Sequence, residues 1–144
     1  MARCVAGGSL FLLVIGLGLG ALGQGSDQDQ LEQLLEDYVA GWREADVKRL
    51  EKVFALEEGR VMWVSDASGQ ETLSSMTFAQ VLERRKPQPE YGLEWSILSL
   101  DVVGGRLAVA KVRISRAGGS YIDFLVCQKI ADRWKIINKT FLTQ

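Results

Sequence analysis

Three short turn signals divide the C-terminal part of the chain into four strand-like runs. Two of the signals are glycine pairs, Gly104-Gly105 and Gly118-Gly119, and the third is Ala131-Asp132. Glycine pairs favour two-residue hairpin turns, because both central residues of such a turn need a positive φ. The runs between the signals begin at Leu93 and are apolar stretches of strand length. The sequence therefore predicts an antiparallel meander that forms the second part of a single domain.

Side chains alternate along a strand, so two-residue turns would fix which residues share a face of this meander. The prediction places Asp123 on a first face between Ile114 and Thr140, with Asn138 on the same face. We expect helices to cover this face, because it combines small alanines with aromatic residues at its ends. The other residues predicted for the first face are Trp95, Ile97, Ser99, Asp101, Ala108, Ala110, Val112, Tyr121, Leu125, Cys127, Lys129, Trp134, Ile136 and Leu142.

On the second face, the same register places Phe124 between Arg113 and Lys139. Lys111 and Lys135 share that face, so a basic strip runs along an apolar surface. Such a surface is too apolar to remain bare in water, and three helices can cover only one face of the sheet. We expect a homodimer with Lys111, Arg113, Phe124 and Lys139 at its interface. The alternative is that the basic strip binds an anion or an acidic partner. The apolar residues predicted for this face include Leu98, Leu100 and Val102.

The first half of the chain has the periodicity of helices. Apolar residues recur at helical spacing after Asp27 or Asp29, either of which can cap the first helix. A second, shorter helix follows Asp46, and Ser75 or Thr77 can cap a third. Between the second and third helices, RVMWVS is read as a strand and DASGQ as a turn.

Residues 1–23 have the pattern of a secretory signal peptide. Arg3 gives a short positive region, the run SLFLLVIGLGLGAL is apolar, and small residues follow. A membrane span needs about 20 apolar residues, so this shorter run favours a cleaved signal over an uncleaved anchor. We expect a mature domain of residues 24–144, secreted or periplasmic and free of the membrane. Its one cysteine, Cys127, cannot form an internal disulfide, and we interpret it as a small buried hydrophobic residue.

The composition argues against several classes of function. The formal net charge is −1 with no long basic run, so we expect no nucleic-acid partner. The chain has no histidine, which removes the commonest general base and the commonest metal ligand. With one mature cysteine, a zinc site is not expected, and no glycine-rich phosphate-binding loop is present. We expect a domain without metal or cofactor.

Three segments carry a resemblance to a known family. They are YVAGWREADVKRLEKVF (residues 38–54), AVAKVRI (residues 108–114) and YIDFLVCQKIADRWKIINKTF (residues 121–141). With the order of helices and strands, they resemble the Putative lumazine-binding subfamily of the nuclear transport factor 2-like superfamily, also called SnoaL-like or cystatin-like. The resemblance implies an α+β, cone-shaped fold with N-terminal helices packed on a curved antiparallel sheet. It also implies a homodimer and a pocket at the open end of the cone. The turn Ala131-Asp132 departs from the family, whose members tend to have Asp-Gly there.

Asp123 is the strongest candidate for a catalytic residue. A carboxylate on an apolar sheet face can serve as a general acid or base near neutral pH. With Tyr38 or Tyr121 as a hydrogen-bond donor to a developing enolate, it would resemble isomerase chemistry. The alternative is structural, with Asp123 accepting hydrogen bonds from Thr140, Tyr121 or a helix and closing the cone.

The aromatic content favours a pocket for a flat ligand, because four tryptophans are many for this length. The alternative is ordinary core packing, together with a hydrogen-bonded core amide at Asn138. The predicted ligand-binding residues are Tyr38, Trp42, Trp63, Trp95, Tyr121 and Asn138.

These observations lead to one prediction and two alternatives. The leading prediction is an exported, dimeric, cofactor-free domain that binds a small apolar or aromatic molecule without catalysis. The first alternative is an enzyme of the isomerase, dehydratase or cyclase kind with Asp123 as general base. It rests on the resemblance, since the superfamily includes ketosteroid isomerases, polyketide cyclases and scytalone dehydratase. The second alternative is a dimeric protein-interaction module that uses the second face. Because proteins with many different activities share this fold, the fold does not indicate which of these functions the chain has.

Overall fold

The computed structural model describes residues 25–144 apart from Ser68. The predicted signal segment, residues 1–23, lies outside the described residues. Within the described part, three helices and six strands follow in the order α1-α2-β1-β2-α3-β3-β4-β5-β6. None of the helices in this part is both long enough and apolar enough to cross a membrane.

Helix α1 spans Asp27–Arg43 and begins at Ser26. The Ser26 hydroxyl accepts a hydrogen bond from the Asp29 backbone N–H, and the Asp29 carboxylate accepts one from the Ser26 N–H at 2.9 Å. The prediction that Asp27 or Asp29 caps this helix was therefore wrong. Asp29 supplies the second half of a capping box, three residues inside the helix. The helix buries one apolar face, made by Leu31, Leu34, Leu35, Tyr38 and Val39.

The two shorter helices begin where the sequence predicts. Helix α2 spans Val47–Val53 and is capped by Asp46, whose carboxylate accepts the Arg49 N–H at 3.0 Å. Helix α3 spans Phe78–Arg84 and is capped by the Thr77 hydroxyl, one of the two residues predicted for that role.

The strands form one six-stranded sheet in the described part of the chain, in the order β2-β1-β6-β5-β4-β3. Strands β3 to β6 make the predicted antiparallel meander, which confirms the α+β class. Strand β1 pairs parallel with β6, so the sheet is mixed and not wholly antiparallel. The strands span Arg60–Ala67 (β1), Gln70–Thr77 (β2), Glu94–Val103 (β3), Leu107–Arg116 (β4), Gly119–Ile130 (β5) and Arg133–Thr143 (β6).

Strand β2 was not predicted from the sequence. It pairs antiparallel with β1, and Ala67 lies opposite Gln70, so the chain reverses within the segment predicted as a turn and then continues as a strand. Its sequence, QETLSSMT, is polar, and its residues are exposed or half-buried. An edge strand without a buried face has no alternating apolar pattern to indicate it.

The inner face of the sheet packs against the helices, and we call the opposite side the outer face. On β4 the alternation is as predicted, with Ala108, Ala110, Val112 and Ile114 buried. Together with helical residues they form the core, in which Phe54 stacks on Phe78 with ring centroids 4.0 Å apart. The inner face corresponds to the predicted first face.

The register between β4 and β5 differs from the prediction by two residues. Ile114 pairs with Tyr121, and Val112 pairs with Asp123, because the turn centres on Ala117 and Gly118. Asp123 was therefore wrongly placed opposite Ile114. A shift of two residues preserves the face, so Asp123 still lies on the inner face.

A β-bulge in β6 changes the faces of the residues beyond it. Val126 pairs with Asn138, whereas Cys127 pairs with Ile136, so Ile137 is the extra residue. Asn138 is thereby placed on the outer face and Lys139 on the inner face. Both were predicted on the opposite sides.

The neighbours of two β5 residues change with this register. Phe124 lies between Lys111 and Thr140, not between Arg113 and Lys139. Asp123 accordingly has Phe141 beside it on β6, where Thr140 was predicted.

A second bulge, at Leu98, changes the faces along β3. Ile97 pairs with Val112 and Ser99 with Lys111, so the residues after the bulge exchange sides. Leu100 and Val102, predicted on the second face, pack against the core. Val103 pairs with Leu107, so the turn between β3 and β4 has three residues, 104–106, and not the predicted two. The predicted inner positions of Ser99 and Asp101 were therefore wrong, whereas the bulge restores the predicted pairs at Trp95 and Ile97.

The last hairpin is closed by Ala131 and Asp132, as predicted. Both adopt positive φ, 47° and 61° respectively, and Ile130 pairs with Arg133 across the turn. An alanine in this conformation is strained, because its Cβ approaches the backbone carbonyl too closely. The turn therefore forms without the glycine that usually favours it.

Candidate functional site

Three side chains from separate elements meet at one point of the inner face. The Tyr38 hydroxyl from α1 donates to Asp123 Oδ2 on β5 at 2.7 Å. Lys139 Nζ on β6 lies 2.9 Å from the same carboxylate oxygen and donates to the Tyr38 hydroxyl oxygen at 2.6 Å. We call this cluster the Tyr38–Asp123–Lys139 triad. It links the first helix to the two central strands.

The triad is largely excluded from water. Asp123 and Tyr38 are each 1% exposed, and the Lys139 side chain is 18% exposed. Burial raises the pKa of Tyr38 well above its ordinary range, and the Asp123 charge and hydrogen bond add to the effect. Tyr38 is therefore a neutral donor at physiological pH. The charges of Asp123 and Lys139 cancel, which makes the cluster electrically neutral.

The bulge at Ile137 is what brings Lys139 into the triad. It places Lys139 opposite Leu125, a fully buried inner-face residue. The ammonium group also lies 5.3 Å from the ring centroids of Tyr38 and Phe141. Aromatic faces at this distance stabilise a cation that has lost part of its hydration.

A cavity of about 360 Å³ adjoins the triad. Its size is at the lower end of the range for small-molecule pockets, and its walls are mainly apolar, as in such pockets. The apolar residues that line it are Val39, Trp42, Phe54, Val61, Phe78, Val81, Pro87, Leu93, Ile114 and Phe141.

Two polar atoms on the lining residues of this cavity have no hydrogen-bond partner. They are Asp123 Oδ1 and Trp42 Nε1, and both are buried. No other buried side-chain nitrogen or oxygen among the described residues lacks a partner. One is an acceptor and the other a donor, so they complement each other chemically. Leaving such groups unpaired costs free energy, which a ligand with matching groups would recover.

Charged residues lie at the opening of the cavity. Arg116 forms a 2.8 Å ion pair with Glu90, and its guanidinium group lies 4.7 Å from the Tyr121 ring centroid and contacts the Tyr121 hydroxyl. The Glu90 hydrogen bond raises the pKa of Arg116 above its ordinary value. Arg85 and Lys86 also line the opening, and both are exposed. In the described part of the chain, neither forms a salt bridge, so the opening carries an excess of positive charge.

The structure brings together four of the residues predicted for the site. Tyr38, Trp42, Tyr121 and Asp123 all line the cavity. The other three are placed elsewhere: Trp63 and Trp95 pack against the core away from the cavity lining, and Asn138 lies half-buried on the outer face.

Lys139 was predicted at the interface and not as a site residue. Its position depends on the bulge, which the apolar pair Ile136-Ile137 does not indicate. Phe54, directly after α2, and Phe78, the first residue of α3, were missed because an aromatic residue in a core and one in a pocket wall have the same spacing. No feature of the sequence indicates that Arg116 belongs to the site.

The remaining predicted interface residues lie on the outer face. Phe124 is 43% exposed, and Lys111 Nζ lies 5.4 Å from its ring centroid. Arg113 is exposed one position along β4 from the buried Val112. Lys139 lies on the inner face and not on this surface, so its predicted position at the interface was wrong.

Two further features bear on the chemistry. Burial raises the pKa of Cys127 to about 12, so its thiol is protonated at physiological pH. Among the described residues, no group of three or more Cys, Asp or Glu side chains is arranged to hold a metal ion.

Known structures share this fold. A nuclear transport factor 2-like protein of unknown function from Shewanella baltica OS155 has a TM-score of 0.68 and 20% identity, covering 82% of this chain and 94% of that one. A similar protein of unknown function from Silicibacter pomeroyi DSS-3 has a TM-score of 0.62 and 26% identity, covering 81% and 95%. A ketosteroid isomerase-like protein from Erwinia carotovora atroseptica SCRI1043 has a TM-score of 0.59 and 11% identity, covering 80% and 94%.

These likenesses define the class, a nuclear transport factor 2-like protein with an α+β fold, as the resemblance implied. The sequence profile of the family described as Putative lumazine-binding matches residues 26–142, and the chain belongs to this family. No curated protein matches the sequence.

Proposed function

We propose that the chain is an exported domain that binds a small apolar or aromatic molecule, without catalysis and without a cofactor. The observation that carries the proposal is the apolar cavity of about 360 Å³ whose lining residues include two buried polar atoms without partners. Core packing alone rarely leaves such atoms unpaired, because each costs free energy. A bound molecule that pairs with them would remove this cost.

The arrangement of the triad supports binding more than turnover. Both donors, Tyr38 and Lys139, act on Asp123 Oδ2, and they hold the carboxylate in one orientation. A fixed, neutralised acceptor suits recognition of a ligand. It also explains how a carboxylate can be buried at the floor of an apolar cavity.

The test is native mass spectrometry of the mature chain purified from its own host. We expect protein carrying extra mass that is released on denaturation. The comparison is a Trp42→Phe, Val81→Trp variant, in which the unpaired donor is removed and the cavity is filled. Retention of the same mass by this variant, or an empty wild-type protein at every protein concentration tested, would contradict binding in this cavity.

An enzyme of the isomerase, dehydratase or cyclase kind is the second candidate. The observation that favours it is that Asp123 Oδ1 remains free to accept a proton. The Tyr38 hydroxyl already donates its one proton to Oδ2, so Tyr121, which lines the same cavity, is the predicted donor to a developing enolate. Turnover of a cyclic ketone with an acidic α-proton, lost in Asp123→Asn with the fold retained, would support the enzyme. Absence of turnover in both forms, with the ligand retained by the wild type, would support the binding protein.

A homodimer through the outer face is part of the proposal. That face carries exposed apolar side chains in the central strands, including Val109 at 41% and Phe124 at 43% exposure. Contiguous apolar surface of this kind is characteristic of interaction sites. A homodimer would cover it by a self-complementary contact, whereas a different protein bound there would make the domain an interaction module.

Export is also a proposal, supported by the sequence pattern of residues 1–23. N-terminal sequencing of the protein recovered outside the cytoplasmic membrane should give a start near Gln24. Recovery of the full-length chain in the membrane fraction would indicate an anchor instead.

A further inference from the structure

We infer that the ligand is an amphiphile of defined polarity: its buried end carries an uncharged hydroxyl or N–H donor, and its outer end carries an anionic group. The inference rests on the proposed function and specifies the class of molecule that the same cavity takes. It follows from the distribution of charge and of unpaired polar atoms along the cavity.

The buried end is specified by Asp123. Its Oδ2 is occupied by Tyr38 and Lys139, whereas its Oδ1 is buried without a partner. An ionised carboxylate oxygen accepts hydrogen bonds only, so the ligand must supply a donor there. A ligand acceptor at that point would face the oxygen lone pairs and be repelled.

The donor must be uncharged because Lys139 already neutralises Asp123. A ligand ammonium group would add a second positive charge to a region whose walls are apolar. No anion would then compensate the free-energy cost of desolvating that charge. A hydroxyl, phenol or amide N–H satisfies Oδ1 without this cost. Trp42 Nε1 is the complementary donor and would pair with an acceptor atom of the same ligand.

The outer end is specified by Arg85 and Lys86. Of the charged residues that line the cavity, Arg116 is paired with Glu90 and Asp123 with Lys139. Arg85 and Lys86 have no salt-bridge partner within the described residues, and both are exposed. A carboxylate at the opening would be attracted to them while it keeps part of its hydration.

Three matched probes separate these requirements. The first, 6-hydroxy-2-naphthoate, has both the donor and the anion; 6-methoxy-2-naphthoate lacks the donor, and 2-naphthol lacks the anion. Isothermal titration calorimetry at low ionic strength should show the first binding about ten-fold more tightly than the methoxy analogue, as expected for a hydrogen bond to a charged acceptor. It should bind about three-fold more tightly than 2-naphthol, and this smaller difference should disappear in high salt because the attracting charges are exposed.

Two double variants test the opening without touching the buried triad. Arg85→Gln with Lys86→Gln should remove the preference for the naphthoate over 2-naphthol. The control, Lys48→Gln with Arg84→Gln, changes the net charge equally at exposed residues outside the cavity lining and should leave the preference intact.

The outcomes distinguish failure of the inference from failure of the proposed function. Equal binding of all three probes, or a naphthoate preference lost equally in both double variants, would overturn the ligand class while the cavity still binds small molecules. Failure of all three probes to bind would also overturn the ligand class. Native mass spectrometry of the same protein then decides whether the cavity is a binding site at all.

Discussion

The hydroxyl group of Tyr38 and the carboxylate of Asp123 are joined by a 2.7 Å hydrogen bond between residues 85 positions apart in the sequence. The bond connects helix α1 to the inner face of β5, and Lys139 from β6 contacts both partners. The position of the first helix on the sheet is therefore coupled to the chemistry of the cavity floor.

Substitution of Tyr38 by phenylalanine should destabilise the domain. It removes a buried donor and leaves Asp123 Oδ2 with Lys139 alone, which costs about 1–3 kcal/mol. Urea unfolding monitored by circular dichroism measures the change. Tyr91→Phe, at an exposed tyrosine, is the control and should leave the midpoint unchanged. Equal stability of the two variants would mean that the Tyr38–Asp123 bond contributes nothing.

Substitution of Lys139 by methionine should have a larger effect. It leaves the buried Asp123 charge unpaired, for which about 3–5 kcal/mol is typical. Adding Asp123→Leu should recover part of the loss, because both charges are then absent. A double-mutant cycle in urea measures the coupling, with the exposed Lys48→Met as control. The oligomeric state should not change in Lys139→Met, and dissociation would restore the interface position that the sequence predicted.

The raised pKa of Tyr38 predicts a specific loss of stability in alkali. The unfolded chain releases the phenol proton near the ordinary value of 10.0, whereas the folded protein retains it. The folded state then binds more protons, so this contribution is complete below pH 10 and declines as the pH rises from there toward the folded-state pKa.

Thermal melting between pH 8 and 11 should therefore show a steeper decline above pH 10 for the wild type than for Tyr38→Phe. The comparison isolates Tyr38 from the lysines that titrate in the same range. Parallel curves for the two proteins would contradict a buried, neutral Tyr38.

Charge introduced on the outer face should prevent dimerisation. Phe124→Glu places an ionised carboxylate among apolar side chains that a partner would bury, which is strongly unfavourable. Tyr91→Glu, in the segment between α3 and β3 at 81% exposure, lies outside the sheet and is the matched control. Analytical ultracentrifugation should give a monomer for the first and the wild-type assembly for the second. A wild-type assembly for both would place any interface elsewhere.

The last turn offers a stabilising substitution. Asp132→Gly relieves a positive φ of 61° that disfavours a residue with a Cβ, and should stabilise the domain by about 1 kcal/mol. Asp101→Gly, on an exposed strand position, is the contrasting variant and should destabilise by a similar amount. Melting temperatures of the two variants should therefore move in opposite directions from that of the wild type.

Most of the fold could be predicted because its signals are local. Helical periodicity, caps at Asp46 and Thr77 and the turn signals all act over a few residues. On β4 the strict alternation of buried and exposed residues fixed the faces, even though the register to β5 was two residues in error. An even shift moves no side chain to the other face.

The site was predicted less well because it depends on one inserted residue, the bulge at Ile137. The bulge exchanges the faces of the residues that follow it on β6, and Ile137 is not a residue typical of a bulge. The face of Asp123 follows from its pairing with β4, and that of Tyr38 from the helical spacing of α1, so both were placed correctly without knowledge of the bulge. Asn138 and Lys139 follow it, and their roles were exchanged.

The bulge at Ile137 has a consequence for how such chains diverge. Deletion of Ile137 alone would leave the pairs on either side of it unchanged, so Lys139 would stay opposite Leu125 and beside Asp123. Lys139 would leave the inner face only if β6 paired regularly with Ile137 retained, because Asn138 would then lie opposite Leu125. The cavity floor would then change from neutral to acidic without any substitution in it. Relatives should therefore be compared at the residue that pairs with Leu125, and the charge at that position should separate them into groups with different ligands.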